Sequence, residues 1–107
     1  MEDKNVWRIF VPRFSNQGLE YQIDYHREWD KRVRDIAGGV TILRTARGQW
    51  VNPEGAVFAE EMIPVEIYCD EPSIDSIIQL TMDYYDQEAI FAYKASFDVK
   101  LVHRKRQ

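Results

Sequence analysis

Few groups in this sequence could do acid–base, nucleophilic or metal chemistry. There are two histidines, His26 and His103, and one cysteine, Cys69. His26 lies in the stretch IDYHREWD, between Asp24 and Glu28. On a helix these two carboxylates stand one turn apart, a spacing that could serve a metal. A tight transition-metal site would want a second histidine nearby, and none follows in sequence. His26 therefore reads as a surface or half-buried residue, and as a general base only if a cavity opens beside it. His103 sits beside a basic run and reads as solvated. Cys69 precedes Asp70 and Glu71. Acidic neighbours raise a thiol pKa, so Cys69 reads as a small buried residue, not a nucleophile. No G-x-S-x-G motif is present. The residues point to no metal and no cofactor.

The stretch GGVTILRTARGQW, residues 38–50, has the glycines of a phosphate loop but not its context. Such a loop joins a strand to a following helix, whose N-terminus holds the anion. Here the glycines follow a helical pattern and precede a β-branched run. Gly38 and Gly39 stop a helix, Gly48 turns the chain, and Trp50 is expected to be buried or half-buried.

The elements that would position these groups follow from periodicity. Residues 5–14, NVWRIFVPRF, are β-branched and aromatic and predict a strand that loses regular pairing near Pro12. A helix is predicted over 22–37, with His26, Trp29, Val33, Ile36 and Ala37 on one side. VTILRT, residues 40–45, is a second strand, and the chain returns from Trp50 through the turn N-P-E-G. Residues 56–70 read as extended, divided by Pro64. A second helix is predicted over 73–87, capped by Ser73, with Ile74, Ile77, Ile78, Thr81 and Tyr85 as its apolar stripe. Residues 89–102 close the chain with a sharp alternation: Phe91, Tyr93, Ala95, Phe97, Val99 and Leu101 against Lys94, Ser96, Asp98 and Lys100. The order β-α-β-β-α-β predicts an α+β, ferredoxin-like sandwich: a four-stranded antiparallel sheet with two helices on one face.

At 107 residues the chain reads as one domain, with 103–107 as a flexible basic tail. A net charge of −4 disfavours nucleic acid as a partner. Arg27, Lys31, Arg32 and Arg34 do cluster on the first helix, but Glu28, Asp30 and Asp35 interleave with them, the pattern of a solvated face. A single cysteine allows no intrachain disulfide. The N-terminal residues do not read as a signal peptide, and no apolar stretch approaches the roughly 20 residues of a membrane span. These features predict a cytoplasmic protein without a membrane partner.

The sheet face away from the helices has no cover from this chain. It is expected to carry Glu66, Tyr68, Lys94, Ser96 and Asp98, with Arg8 or Trp7. Trp50, His26, Tyr84 and Gln87 join them as candidates for a ligand or interface. The reading is a non-enzymatic binding or self-associating module, a homodimer or higher homo-oligomer, with room for a small-molecule or protein partner. The alternative is a dimeric ferredoxin-like enzyme or small-molecule binder, whose apolar cavity is lined by tyrosines, Trp50 and His26.

One pattern runs through most of the chain: Pro12 ending a strand, Asn16-Gln17-Gly18, a mid-helix Trp29, Gly39-Val40-Thr41, Gly48-Gln49-Trp50, and Gln87-Glu88-Ala89-Ile90. In these N-x-G, GGVT, G-x-W and Q-x-A-I motifs the sequence resembles a family of small, uncharacterised bacterial proteins of about this length. The resemblance implies a single domain and a bacterial origin, and it supplies no reaction.

Overall fold

Strand β1, Lys4–Pro12, runs through the middle of an antiparallel sheet. The computed structural model describes residues 3–96 and 98–105. Helix α1, Ile23–Ala37, follows β1, then β2, Thr41–Ile42, and β3, Ala46–Val51. The long strand β4, Val57–Asp70, leads directly into helix α2, Glu71–Tyr84, and the short strand β5, Ala92–Lys94, comes last. The strand order is β2-β4-β1-β5, with β3 also paired to β4. The architecture is the expected α+β, ferredoxin-like one. β2 and β3 together fill one lane of the sheet, so five strands occupy four lanes.

That shared lane contains a one-residue offset. Ile42 pairs with Val65, and the next ladder begins with Ala46 against Met62. Residues 43–45 thus span only residues 63–64 of β4, a bulge. Side chains alternate between faces, so one extra residue reverses which face an even-numbered residue takes. Ile42 lies on the helix side with Val65, whereas Gly48 and Trp50 lie on the other side. The bulge also explains how β4 passes through Pro64, where the sequence suggested a division. Proline can offer no ladder donor, and here its carbonyl accepts from the Leu43 N–H at 2.9 Å where β2 gives way to β3.

The core lies between the helices and one sheet face. Ile9 and Val11 of β1 and Val65, Ile67 and Cys69 of β4 meet Trp29 and Val33 of α1 and Ile74, Ile77 and Tyr85 of α2. Fully burying each aliphatic side chain contributes about 1.5–3 kcal/mol. The one polar residue among them, Thr81, is satisfied on both sides: its hydroxyl donates to the Ile77 carbonyl at 2.6 Å and accepts from the Trp29 indole at 3.1 Å. Ile36, expected in this core, is exposed.

The helix ends follow local chemistry. Gly38 takes φ 87°, the left-handed value a C-cap needs, and its N–H returns to Arg34. α2 starts earlier than expected, because the cap is Asp70, not Ser73. The Asp70 carboxylate accepts from the Ser73 N–H at 2.9 Å, with a proline in the first turn. The helix also stops earlier, and Asp86 takes a positive φ of 52° just beyond it. The closing strand is far shorter than its alternation suggested. Only Ala92–Lys94 pair with β1, and among the described residues from Ala95 to Lys105 none forms a strand or helix. Phe97 lies outside the described residues.

Candidate functional site

The β3–β4 hairpin projects beyond the sheet. β1 ends opposite Met62, and its last link to β4 runs from the Arg13 N–H to the Glu61 carbonyl at 3.2 Å. From there to Val57, β4 is paired on one edge only, with β3. Residues two apart point their backbone groups to the same edge, so the N–H and C=O of Ala59 and Val57 face the lane that β1 has vacated. The tip is closed by a turn in which Gly55 takes φ 86° and the Asn52 side chain accepts from the Ala56 N–H at 2.9 Å. The molecule is correspondingly long, 59 × 30 × 23 Å.

Because of the bulge, Trp50 and its cross-strand partner Phe58 stand on the uncovered side. Their rings stack at 4.7 Å with planes 18° apart. Trp50 is 48% exposed and Phe58 42%, so the expectation of a buried or half-buried Trp50 is corrected: the hairpin has no layer behind it to bury the ring. Val51 and Val57 pair on the opposite face and are more exposed still.

Across the vacated lane lies the connection from α2 to β5. Asp86 is held there by Asn16, whose side-chain amide donates to the Asp86 carbonyl at 2.8 Å. The Gln87 amide donates to the Tyr85 carbonyl at 3.0 Å and reaches Asn16 Oδ1 at 3.3 Å. Between this connection and the hairpin runs a groove of about 790 Å³. Phe10, Pro12, Met62 and Phe91 supply its apolar lining, with Gly48 and Trp50 on the hairpin side and Gln87–Ile90 on the other. Gly48 makes a close approach: a Cβ there would come within 2.5 Å of the Met62 methyl, the end of a flexible side chain. Among the described residues three carboxylates line the groove, Glu60, Asp86 and Glu88, and no lysine, arginine or histidine does. Asn16, Gly48-Gln49-Trp50 and Gln87-Glu88-Ala89-Ile90, far apart in sequence, all converge here.

The uncovered sheet face continues from the groove. Arg8 bonds Glu66 at 2.6 Å and the Tyr93 hydroxyl at 2.9 Å, and these contacts hold the guanidinium above its ordinary pKa. Phe10, Phe91 and Tyr93 form a ring cluster beside them, with centroids 5.7–6.1 Å apart. Of the residues expected on this face, Glu66 and Tyr68 are in place. Trp7 and Lys94 are not. Both stand opposite the register of buried Ile67, so they belong to the helix side, where the Lys94 ammonium lies 5.8 Å from the Trp7 ring. Ser96 and Asp98 lie past the end of β5, so no ladder places them on either face, and the Ser96 hydroxyl is buried without a hydrogen-bond partner.

His26 and Tyr84 belong to a separate cluster where α1 and α2 meet. His26 Nδ1 and the Tyr85 hydroxyl are 2.7 Å apart. Burial lowers the His26 pKa and raises that of Tyr85. Tyr84 packs on Tyr25, and each hydroxyl donates to the other's main-chain carbonyl. Beside His26, with Val11, Trp29, Asp30 and Val65, is an apolar pocket of about 90 Å³. Ligand pockets usually start near 300 Å³, so this one is too small for the substrate cavity that an enzymatic role for His26 needs. Cys69 is buried, and desolvation pushes its thiol up to about 11. Among the described residues, no three His, Cys, Asp or Glu side chains gather as a metal site.

Sequence reasoning singled out Trp50 and Gln87 but missed Phe10, Phe58, Glu60, Met62 and Asp86. Phe58 and Glu60 were legible in principle, since the N-P-E-G turn fixes them opposite Trp50 and Gly48 once the hairpin register is known.

No family model matches the sequence, and no curated protein does. The fold has solved counterparts. The periplasmic divalent cation tolerance protein CutA from Archaeoglobus fulgidus is 14% identical and has a TM-score of 0.64, over 92% of this chain and 89% of that one. The divalent cation tolerance protein of Thermus thermophilus is also 14% identical, with a TM-score of 0.63 over 90% and 88%. A phage SAM lyase, solved with S-methyl-5'-thioadenosine, is 15% identical, with a TM-score of 0.64 over 86% and 80%. At these identities the likeness is one of fold. Among the described residues, no helix is long and apolar enough to cross a membrane.

Proposed function

We propose that this protein is a non-enzymatic binding module that self-associates through its uncovered sheet face. The contact centres on the groove between the β3–β4 hairpin and residues 86–91. One observation carries the reading: the Trp50–Phe58 stack and the unpaired edge of β4 lie side by side on a face that none of the described residues covers. An exposed strand edge beside an apolar surface is a template for pairing with another chain. Natural edges are blunted by lysine or proline, and this edge, free at Val57 and Ala59, carries neither. Sedimentation velocity tests the reading. The full chain runs as a dimer or larger, and Trp50→Ser with Phe58→Ser shifts it toward monomer without changing its circular dichroism. A chain that sediments as a monomer regardless of these substitutions contradicts the proposal.

A second reading rests on the groove volume, about 790 Å³, which lies in the range of small-molecule sites. One neighbour in fold was solved with a thioadenosine. In this reading a flat ring stacks on Trp50 and Phe91, and the carboxylates meet donors on the ligand. Retention of a small molecule through purification, seen as added mass on the native protein, supports it. Loss of that mass in Trp50→Ser places the ligand in the groove.

A further inference from the structure

The groove and the C-terminal segment are complementary, and the chain leads its own segment away from its own groove. β5 is antiparallel to β1, with Ala92 opposite Ile9 and Lys94 opposite Trp7, so the chain beyond Lys94 runs toward the Lys4 end of the sheet. Its last sheet contact is the Ala95 N–H to the Val6 carbonyl at 2.7 Å. The groove lies toward the other end, from Phe10 past Pro12. From Val6 to Pro12 is about 20 Å at the usual rise of a strand, and the chain leaves Ala95 in the opposite direction.

The segment nevertheless has the character of a strand. Ala95, Phe97, Val99 and Leu101 alternate with Ser96, Asp98 and Lys100. Among its described residues none has a strand partner, and Leu101 and Val102 are 66% and 83% exposed. Lys100, Arg104 and Lys105 make it basic. The groove offers what such a segment lacks: a free backbone edge at Val57 and Ala59, the exposed Val51 and Val57 on the face its apolar residues take, and on the other face the carboxylates of Glu60, Asp86 and Glu88.

We propose that the C-terminal segment of a second copy, residues 98–105, lies in the groove as an added strand along the free edge of β4. Its Lys100 and Arg104 face the groove carboxylates. Main-chain bonds supply the attachment, and alternate side chains supply the choice of partner. This rests on the self-association proposed above and names its occupant. The contact is head-to-tail unless each copy also receives the other's segment, so it closes as a reciprocal pair or a ring.

The test uses the full chain and four variants in sedimentation equilibrium, one of them Trp50→Ser. Leu101→Asp alters an exposed position, and its far-ultraviolet circular dichroism should match the parent. Its dissociation constant should rise at least tenfold. Glu60→Lys with Glu88→Lys should weaken association at low salt, and adding Lys100→Glu with Arg104→Glu to it should restore at least part of the loss. A labelled peptide of residues 95–107 should bind the Leu101→Asp protein and not its Trp50→Ser derivative. If Trp50→Ser dissociates the assembly while Leu101→Asp and the charge reversals leave it intact, the segment is not the occupant and the binding face stands. If none of these substitutions changes the association, both proposals fall.

Discussion

Trp50 stacks on Phe58 across the β3–β4 ladder with ring centroids 4.7 Å apart, and both rings face the side of the sheet that no helix covers. That orientation follows from a single extra residue between Ile42 and Ala46. Without the bulge the same hairpin would turn Trp50 toward the helix side. An aromatic pair of this kind contributes about 0.5–1.5 kcal/mol beyond its buried area, too little to explain two large exposed rings by hairpin stability alone.

Gly48 separates the groove from the stability of the fold. Gly48→Ala places a methyl where the Met62 methyl now sits, and Met62 responds by swinging its flexible end into the groove. The expected cost in chemical denaturation is below about 1 kcal/mol, because the displaced atom ends a mobile side chain. The effect on association should be larger, a several-fold weakening by sedimentation. Equal oligomerisation of parent and variant would show that the floor of the groove is not in contact with a partner.

Thr81 is the polar hinge of the core. Thr81→Val keeps the volume but strands the Trp29 indole N–H, which now donates to the threonine hydroxyl at 3.1 Å in a site without solvent. An unsatisfied buried donor costs about 1–3 kcal/mol, and the urea midpoint should fall accordingly. Thr81→Ser, which retains the acceptor, should lose less. Equal losses in the two variants would mean that packing, not the hydrogen bond, decides.

His26 should make stability depend on pH. Burial holds its folded-state pKa below the ordinary imidazole value, against the weaker opposing influence of Asp30 and Glu20. Above about pH 6.5 both folded and unfolded chains carry it neutral, and its full contribution is present. As the pH falls through and below that value the unfolded chain takes up the proton first, so stability declines. Asp30, whose own pKa burial raises, acts in the opposite direction at lower pH. Melting temperatures between pH 7.5 and 5.5 should fall more steeply for the parent than for His26→Gln. Parallel curves would remove His26 as the cause.

Much of the fold could be read from periodicity. α1 appeared almost residue for residue, because Trp29 and Val33 recur at helical spacing and Gly38 ends it. The ferredoxin-like order followed from the alternation of elements. The site was less legible because it depends on relations that a linear pattern does not carry. The sequence marks Trp50 but not its face, since the bulge at 43–45 leaves no distinct residue signature. Alternation alone puts Lys94 on the uncovered face, and its register against Trp7 and Ile67 reverses that. The regular alternation of 89–102 promised a long strand. Among the described residues only Ala92–Lys94 of it form a strand, although β1 continues to Lys4 and the Ala95 N–H still reaches the Val6 carbonyl. An alternating segment reports that a strand has two unlike faces, and says nothing about which chain provides its neighbour.

Native mass spectrometry of the full chain beside its Trp50→Ser, Phe58→Ser variant tests the central claim most directly. The account predicts a parent that is a dimer or larger at micromolar concentration, and a variant of the same charge distribution that is mainly monomer. A parent found as bare monomer, or an assembly that survives in the variant, would contradict self-association through the uncovered face.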